Sequence, residues 1–298
     1  MKVVTFFNNK GGVGKTTTII NLASYLSIYR EKKVLVVDLD PQSNSTQAIL
    51  PEEIWLEFYD PENRNTRKTI YDYFRDMEEG DANFNNIEIP VNEDQNSFKI
   101  SLIPGHPKLS IIDDTMSKSW SETLSGDKGA IRKLNWLNQL KKENTTFDYI
   151  LIDCPAGIEQ GFKNAIAGAD RAIVVTTAEI SSIRDADRII GLLEASEIRN
   201  PELIINRLRP NMVKRGEMMD VDDIVDLLSI DLIGVIPDDE YIITQTNKGE
   251  PAVSNKKAPS GKAYLEIARR ILGDNIEVTI PGRDEGFFTK LLNFFRRK

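Results

Sequence analysis

The residues best placed for chemistry are Lys10-Gly11-Gly12-Val13-Gly14-Lys15-Thr16-Thr17. They follow an apolar run, Val3-Val4-Thr5-Phe6-Phe7, and open a segment in which Ile19, Leu22, Ala23 and Leu26 recur at helical spacing. A strand, a glycine loop and a helix in that order aim backbone N–H groups and a helix N-terminus at one point, which suits a polyphosphate. Gly11, Gly12, Val13, Gly14, Lys15, Thr16 and Thr17 are the candidate nucleotide-binding residues. Lys15 is spaced to reach the β- and γ-phosphates, and the Thr16 hydroxyl to reach Mg²⁺. The general phosphate-loop pattern wants a glycine where Asn9 stands, and a second lysine, Lys10, heads the loop instead. That lysine does not duplicate Lys15. It either folds back on its own phosphates or reaches a neighbouring subunit, where a cation delivered in trans stabilises transition-state charge.

Two further strands end in acids. Lys33-Val34-Leu35-Val36-Val37-Asp38-Leu39-Asp40 and Tyr149-Ile150-Leu151-Ile152-Asp153 are continuous apolar runs, the form taken by strands covered on both faces. Asp153 is placed for the water shell of the metal, and Asp38, nearer its strand, is expected to share that shell. Asp40, followed by Pro41, is free to reach the γ-phosphate and orient the attacking water. The expected catalytic set is therefore Lys10, Lys15 and Asp40, the metal set Thr16, Asp38 and Asp153, and the cofactors ATP and Mg²⁺.

The elements that must hold these residues alternate. Buried-strand patterns recur at Ala172–Thr176, Leu203–Ile205 and Leu232–Ile236. Helical patterns occupy Asp185–Ser196, Val221–Leu228 and Ala263–Leu272. Alternation of this kind predicts an α/β fold, a doubly wound, mostly parallel sheet with helices on both faces, and such sheets bind ligands at the carboxyl ends of their strands. Residues 51–100 are acidic and Asn-rich and read as a surface insertion with one helix near Thr69–Met77. Residues 113–129 read as loop and Ala130–Glu143 as helix. The expected organisation is a domain over 1–273, a linker over 274–285 and a tail over 286–298.

Composition narrows the partners. The 298 residues carry a net charge of −8, which disfavours a general polyanion binder. The single Cys154 excludes an internal disulfide and cannot build an iron–sulfur or structural zinc site within one chain. It reads as a buried, reduced thiol. The single His106, in Pro104-Gly105-His106-Pro107, reads as an exposed turn residue. The chain starts directly into a strand and has no apolar run of about 18 residues, so a cytoplasmic location is expected.

The tail reverses the charge. No acid follows Glu285, whereas Lys290, Arg296, Arg297 and Lys298 do. At about 100° per residue, Phe287, Phe288, Leu291, Leu292, Phe294 and Phe295 fall within an arc of roughly 160°. Lys290, Arg296 and Arg297 lie on the other side. That pattern suits a helix lying in an anionic membrane interface. Four basic residues contribute on the order of 4 kcal/mol at most near such a surface, and ordering a short helix opposes them. One tail binds weakly; two tails on a dimer gain avidity of about 10²-fold or more.

The loop, Asp38-Leu39-Asp40 and Asp153-Cys154-Pro155-Ala156-Gly157 together resemble the deviant-Walker-A ATPases of the ParA/MinD superfamily, over almost the whole chain. Up to about residue 153 the likeness is to the partition branch, through Asp40-Pro41-Gln42-Ser43-Asn44-Ser45-Thr46. From about residue 150 it is to the MinD branch, through Pro155–Phe162, Arg184–Arg188, Ile204–Arg207, Arg215–Met219 and Gly234–Asp239. A change of branch near Asp153 is what a recombined or engineered chain would show.

The resemblance implies a sheet of the P-loop NTPase type and an ATP-dependent homodimer in which Lys10 reaches the partner's nucleotide. It implies adenine contacts from Asn206, Pro237 and Asp238, and a γ-phosphate-sensing switch that includes Pro155 and Gly157. It also implies anionic membrane lipid as a partner of the tail, on the inner face of the cell membrane. The helix from Arg184 would serve a MinE-like activator and a MinC-like division inhibitor. Three readings follow: a membrane-cycling ATPase, a partition ATPase that binds DNA nonspecifically as an ATP dimer, and a chain that tethers to membrane without hydrolysing ATP.

Overall fold

The computed structural model describes residues 1–60, 62, 68–79, 98–111, 136–143, 146–156, 169–196, 198 and 200–283. Seven parallel strands form one sheet: β1 (Lys2–Phe7), β2 (Val34–Asp38), β3 (Ser101–Ile103), β4 (Tyr149–Asp153), β5 (Arg171–Thr177), β6 (Glu202–Leu208) and β7 (Asp231–Pro237). Their order across the sheet is β3-β2-β4-β1-β5-β6-β7. The chain leaves β1 toward β2 on one side and later returns to β5 on the other, so the topological switch falls at the carboxyl end of β1. That is where parallel sheets of this kind bind ligands.

The strands are apolar on both sides because helices cover both. On one face Val4, Phe6, Val36 and Leu151 pack with Leu22 and Leu26 of α1 (Lys15–Arg30). On the other, Val3, Phe7, Val37 and Ile152 pack toward the helices from the second half of the chain and toward Trp136. That tryptophan opens a helix over Trp136–Glu143, the described part of the helix expected over 130–143. Among the described residues no helix is long and apolar enough to cross a membrane.

Residues 51–100 are not wholly a surface insertion. The helix over Ile70–Glu79 follows the expected one closely. Yet Phe58, Ile70, Tyr73, Phe74, Phe98 and Ile100 are buried, and Phe74 meets Trp136 edge-on at 5.5 Å. Scattered aromatics in an acidic stretch hid this contribution to the core. The expected loop over 113–129 lies outside the described residues.

Two other expectations change. His106 is half-buried, stacked on Tyr71 and edge-on to Tyr59 at ring separations of 5.3 Å. The described part of the linker is a strap attached to the body. Arg270 donates to the carbonyls of Ile233, Ile276 and Glu277, Val278 and Ile280 pack on the core, and Arg283 pairs with Asp222 at 2.8 Å and with Asp220. The tail residues Phe287, Phe288, Lys290, Leu291, Leu292, Phe294, Phe295, Arg296 and Arg297 lie outside the described residues.

Candidate nucleotide site

The glycine loop joins β1 to α1 as the sequence predicts. Gly12 and Gly14 adopt left-handed backbone, at φ 79° and 87°, which side chains disfavour. Gly14 has a second constraint, since an added Cβ would lie 2.2 Å from Asn206 Nδ2. Gly11 and Gly12 have nothing within 4 Å of the Cβ positions they lack, so the loop's concave side is open to a ligand. Thr17 continues into α1, where its carbonyl accepts from Asn21.

Lys15, Thr16 and Asp153 converge. Asp153 ends β4 and is fully buried. Its Oδ2 accepts from Thr16 Oγ1 at 2.6 Å and from Ser45 Oγ at 2.8 Å. Its Oδ1 makes no hydrogen bond of good geometry and faces Lys15 Nζ at 3.2 Å. Burial works to lower the Lys15 pKa, but Asp153 and Asp40 outweigh it and hold the ammonium above its usual value. A buried carboxylate oxygen held by charge alone, beside a threonine hydroxyl, fits a hydrated Mg²⁺.

Asp38 also holds a neighbouring element. It is fully buried beside Asp153. Its Oδ2 accepts from both Thr46 N (2.8 Å) and Thr46 Oγ1 (2.7 Å), and its Oδ1 from Asp40 N. The structure makes Asp38 the anchor of a short helix, α2 (Asn44–Ile49). Burial first, then the neighbouring Asp153, push its carboxyl up to about 8 against the Thr46 bonds. Gly105 completes the anchor. Its N–H donates to Thr46 Oγ1 at 2.8 Å, and a Cβ there would sit 2.9 Å from Asp38 Cγ.

Asp40 lies in the turn before α2, its Oδ1 accepting from Gln42 N at 2.9 Å. Burial raises its pKa, and the Gln42 bond and Lys15 oppose the shift. Lys10 points away from this cluster. Its Nζ is 2.8 Å from Glu179 Oε2 and 3.0 Å from Ser181 Oγ, at the start of a helix over Ile180–Ala195. Asn9, standing where the general motif has glycine, bonds Asp185 of that helix.

Asn206 on β6 is buried, and its Nδ2 donates to Val13 O at 2.7 Å while its Oδ1 accepts from Arg207 N. It grips the glycine loop directly, leaving one N–H and one lone pair for a base. Pro237 ends β7, and Asp238 is engaged by Arg209 at 2.6 Å. Pro155 is half-buried beside Cys154, whose thiol is buried, free and pushed well above its ordinary pKa by burial. Gly157 lies outside the described residues. Sequence reasoning missed the roles of Ser45, Thr46, Gly105, Glu179 and Ser181. Ser45 and Thr46 stood inside a motif already singled out, whereas the other three gave no local signal.

A family model described as an AAA domain matches residues 1–205. One described as 4Fe-4S iron sulfur cluster binding proteins of the NifH/frxC family matches residues 123–292. The septum site-determining protein MinD of Bacillus subtilis is 38% identical over 99% of this chain and 98% of its own. The chain belongs to the MinD family. The MinD cell division protein of Aquifex aeolicus is 33% identical, covered over 94% of this chain and 100% of that one, with a TM-score of 0.71. A chain of the MinC:MinD cell division protein complex from the same organism gives 0.70 at the same identity, covered over 94% of this chain and 99% of that one. One natural MinD sequence thus aligns across residue 153, and the partition-like Asp40–Thr46 segment sits inside a MinD-type chain. The lone, buried Cys154 cannot supply paired cluster cysteines, so the iron–sulfur part of the second description does not carry over. The chain is a MinD-like cell-division ATPase with the P-loop fold.

Proposed function

We propose that this ATPase dimerises on binding ATP with Mg²⁺, attaches reversibly to anionic membrane through residues 286–298, and so positions division machinery. The observation that carries the reading is the outward reach of Lys10. Its ammonium rests on Glu179 and Ser181, not on its own Lys15–Thr16–Asp153 cluster. The pair is solvent-exposed on both sides, a setting in which an ion pair contributes about 0–1 kcal/mol. A partner's phosphates can displace so weak a contact.

In the proposed site Lys15 leaves Asp153 for the β- and γ-phosphates, and the glycine-loop N–H groups cradle them. Thr16 and Asp153 would hold Mg²⁺, Asp153 through a water. The ion would neutralise phosphate charge and leave transfer to a positioned water. Asp40, held by Gln42 N, orients that water, and Lys10 of a second chain stabilises the transition state. Asn206, Pro237 and Asp238 border the base. Arg184, Asp187 and Arg188 form an exposed stripe on the helix that Lys10 touches, which supports docking of a MinC-like inhibitor or MinE-like activator there.

Liposome co-sedimentation with ATP and with ADP tests the cycle. Intact protein should sediment with ATP and protein lacking residues 286–298 should not; equal sedimentation in ATP and ADP would refute the proposal. Leu292→Glu should abolish sedimentation and leave nucleotide binding intact.

A further inference from the structure

Two consecutive hydroxyls at the start of α2 each hold a different buried carboxylate. Thr46 holds Asp38, through both N–H and Oγ1. Ser45 holds Asp153, at 2.8 Å, on the same Oδ2 that accepts from Thr16. Both residues are fully buried. The two bonds differ in what a ligand can do to them. Asp38 accepts twice from Thr46 and once from Asp40 N. Asp153 stands at the nucleotide, with Oδ1 facing Lys15 and Oδ2 sharing Thr16.

We propose that Ser45 is the positioning residue that transmits occupancy of the Thr16–Asp153 site to α2, and through it to the turn carrying Asp40. The inference rests on the nucleotide reading above. Binding takes Lys15 from Asp153 and brings a divalent charge toward it. The charge felt at Asp153 Oδ2 changes, and Ser45 Oγ, which water does not reach, is the group on that oxygen that belongs to α2. Thr46 on Asp38 then serves as the fixed pivot about which α2 responds. Asp40 lies in the turn just before α2, and the Ser43 N–H is bonded to the Asp40 carbonyl at 2.8 Å, so a shift at Ser45 reaches Asp40 through a short stretch of continuous backbone.

Hydrogen exchange of the amides of residues 44–49 tests this, without and with ADP and Mg²⁺, in wild type, Ser45→Ala and Ser45→Thr. Wild-type exchange should change by about tenfold on binding, the size set by altering one charge-assisted hydrogen bond. Ser45→Ala should bind Mg²⁺-ADP by calorimetry and show less than about a twofold change, and Ser45→Thr should recover the response. An undiminished change in Ser45→Ala that still binds would overturn the inference while leaving the nucleotide site standing. Failure of wild type to bind Mg²⁺-ADP would overturn the nucleotide reading and this inference with it. A purely structural serine would shift exchange equally in both ligand states, which also counts against the proposal.

Discussion

Asp38 and Asp153 stand side by side, in register on the adjacent parallel strands β2 and β4, both fully buried. Burial first, and the neighbouring Asp153 second, push the Asp38 carboxyl up to about 8. An unfolded aspartate titrates at about 3.9. Between these values the folded state binds more protons than the unfolded one, so stability falls as pH rises from about 4 to 8 and levels off above.

The slope assigned to Asp38 is at most about 1.4 kcal/mol per pH unit. Asp38→Asn keeps an acceptor for Thr46 and removes the titration. Denaturant unfolding of nucleotide-free protein across this range should give a flatter profile for the variant than for wild type. Parallel profiles would assign the titration to other groups.

Lys15 is the counter-charge of the Asp153 side of the pair. Lys15→Ala leaves Asp153 Oδ1 buried without it, which should destabilise the nucleotide-free protein by about 3 kcal/mol, read as a fall in Tm. It should also abolish measurable nucleotide binding. Lys15→Ala with Asp153→Asn should recover much of the lost stability and none of the binding.

The sequence made the sheet legible because its strands are unbroken apolar runs ending in acids, and because Gly11–Gly14 need backbone freedom that few other residues give. It singled out Lys15, Thr16 and Asp153, which the structure brings together. The bonds that Asp38 makes were not legible, for a physical reason. Whether a strand-end acid faces a ligand or anchors a neighbour depends on Thr46 and Gly105, and Gly105 is brought in by strand pairing from 59 residues beyond Thr46. The Lys10–Glu179 pair spans 169 residues and has no local signature. Tyr73 and Phe74 were hidden by the acidic composition around them.

Lys10→Ala removes a group that touches nothing in its own Lys15–Thr16–Asp153 cluster. Nucleotide affinity should stay near wild type by calorimetry. ATP-dependent dimerisation, read by light scattering, should be lost, and lipid-stimulated turnover should fall on the order of 10³-fold, the weight of a cation supplied in trans. Glu179→Gln weakens the resting pair and should leave monomeric stability within about 1 kcal/mol of wild type. A large loss of nucleotide affinity in Lys10→Ala would show that Lys10 serves its own site.

Gly14 and Asn206 meet so closely that their substitutions should not add. Gly14→Ala meets both a left-handed φ of 87° and an atom 2.2 Å from the new Cβ. The backbone strain alone costs about 1–2 kcal/mol, and the collision adds to it by driving Asn206 off Val13 O. Asn206→Ala removes the grip outright and leaves Val13 O without that partner, at about 1–3 kcal/mol for the buried group. In the double variant the collision is gone and the strain remains. Its loss should therefore be smaller than the sum of the single losses by about 1 kcal/mol or more, both in unfolding free energy and in nucleotide affinity. Strict additivity in a double-mutant cycle would mean that Asn206 does not hold the loop, and would return it to the base-contact role that the family resemblance implies.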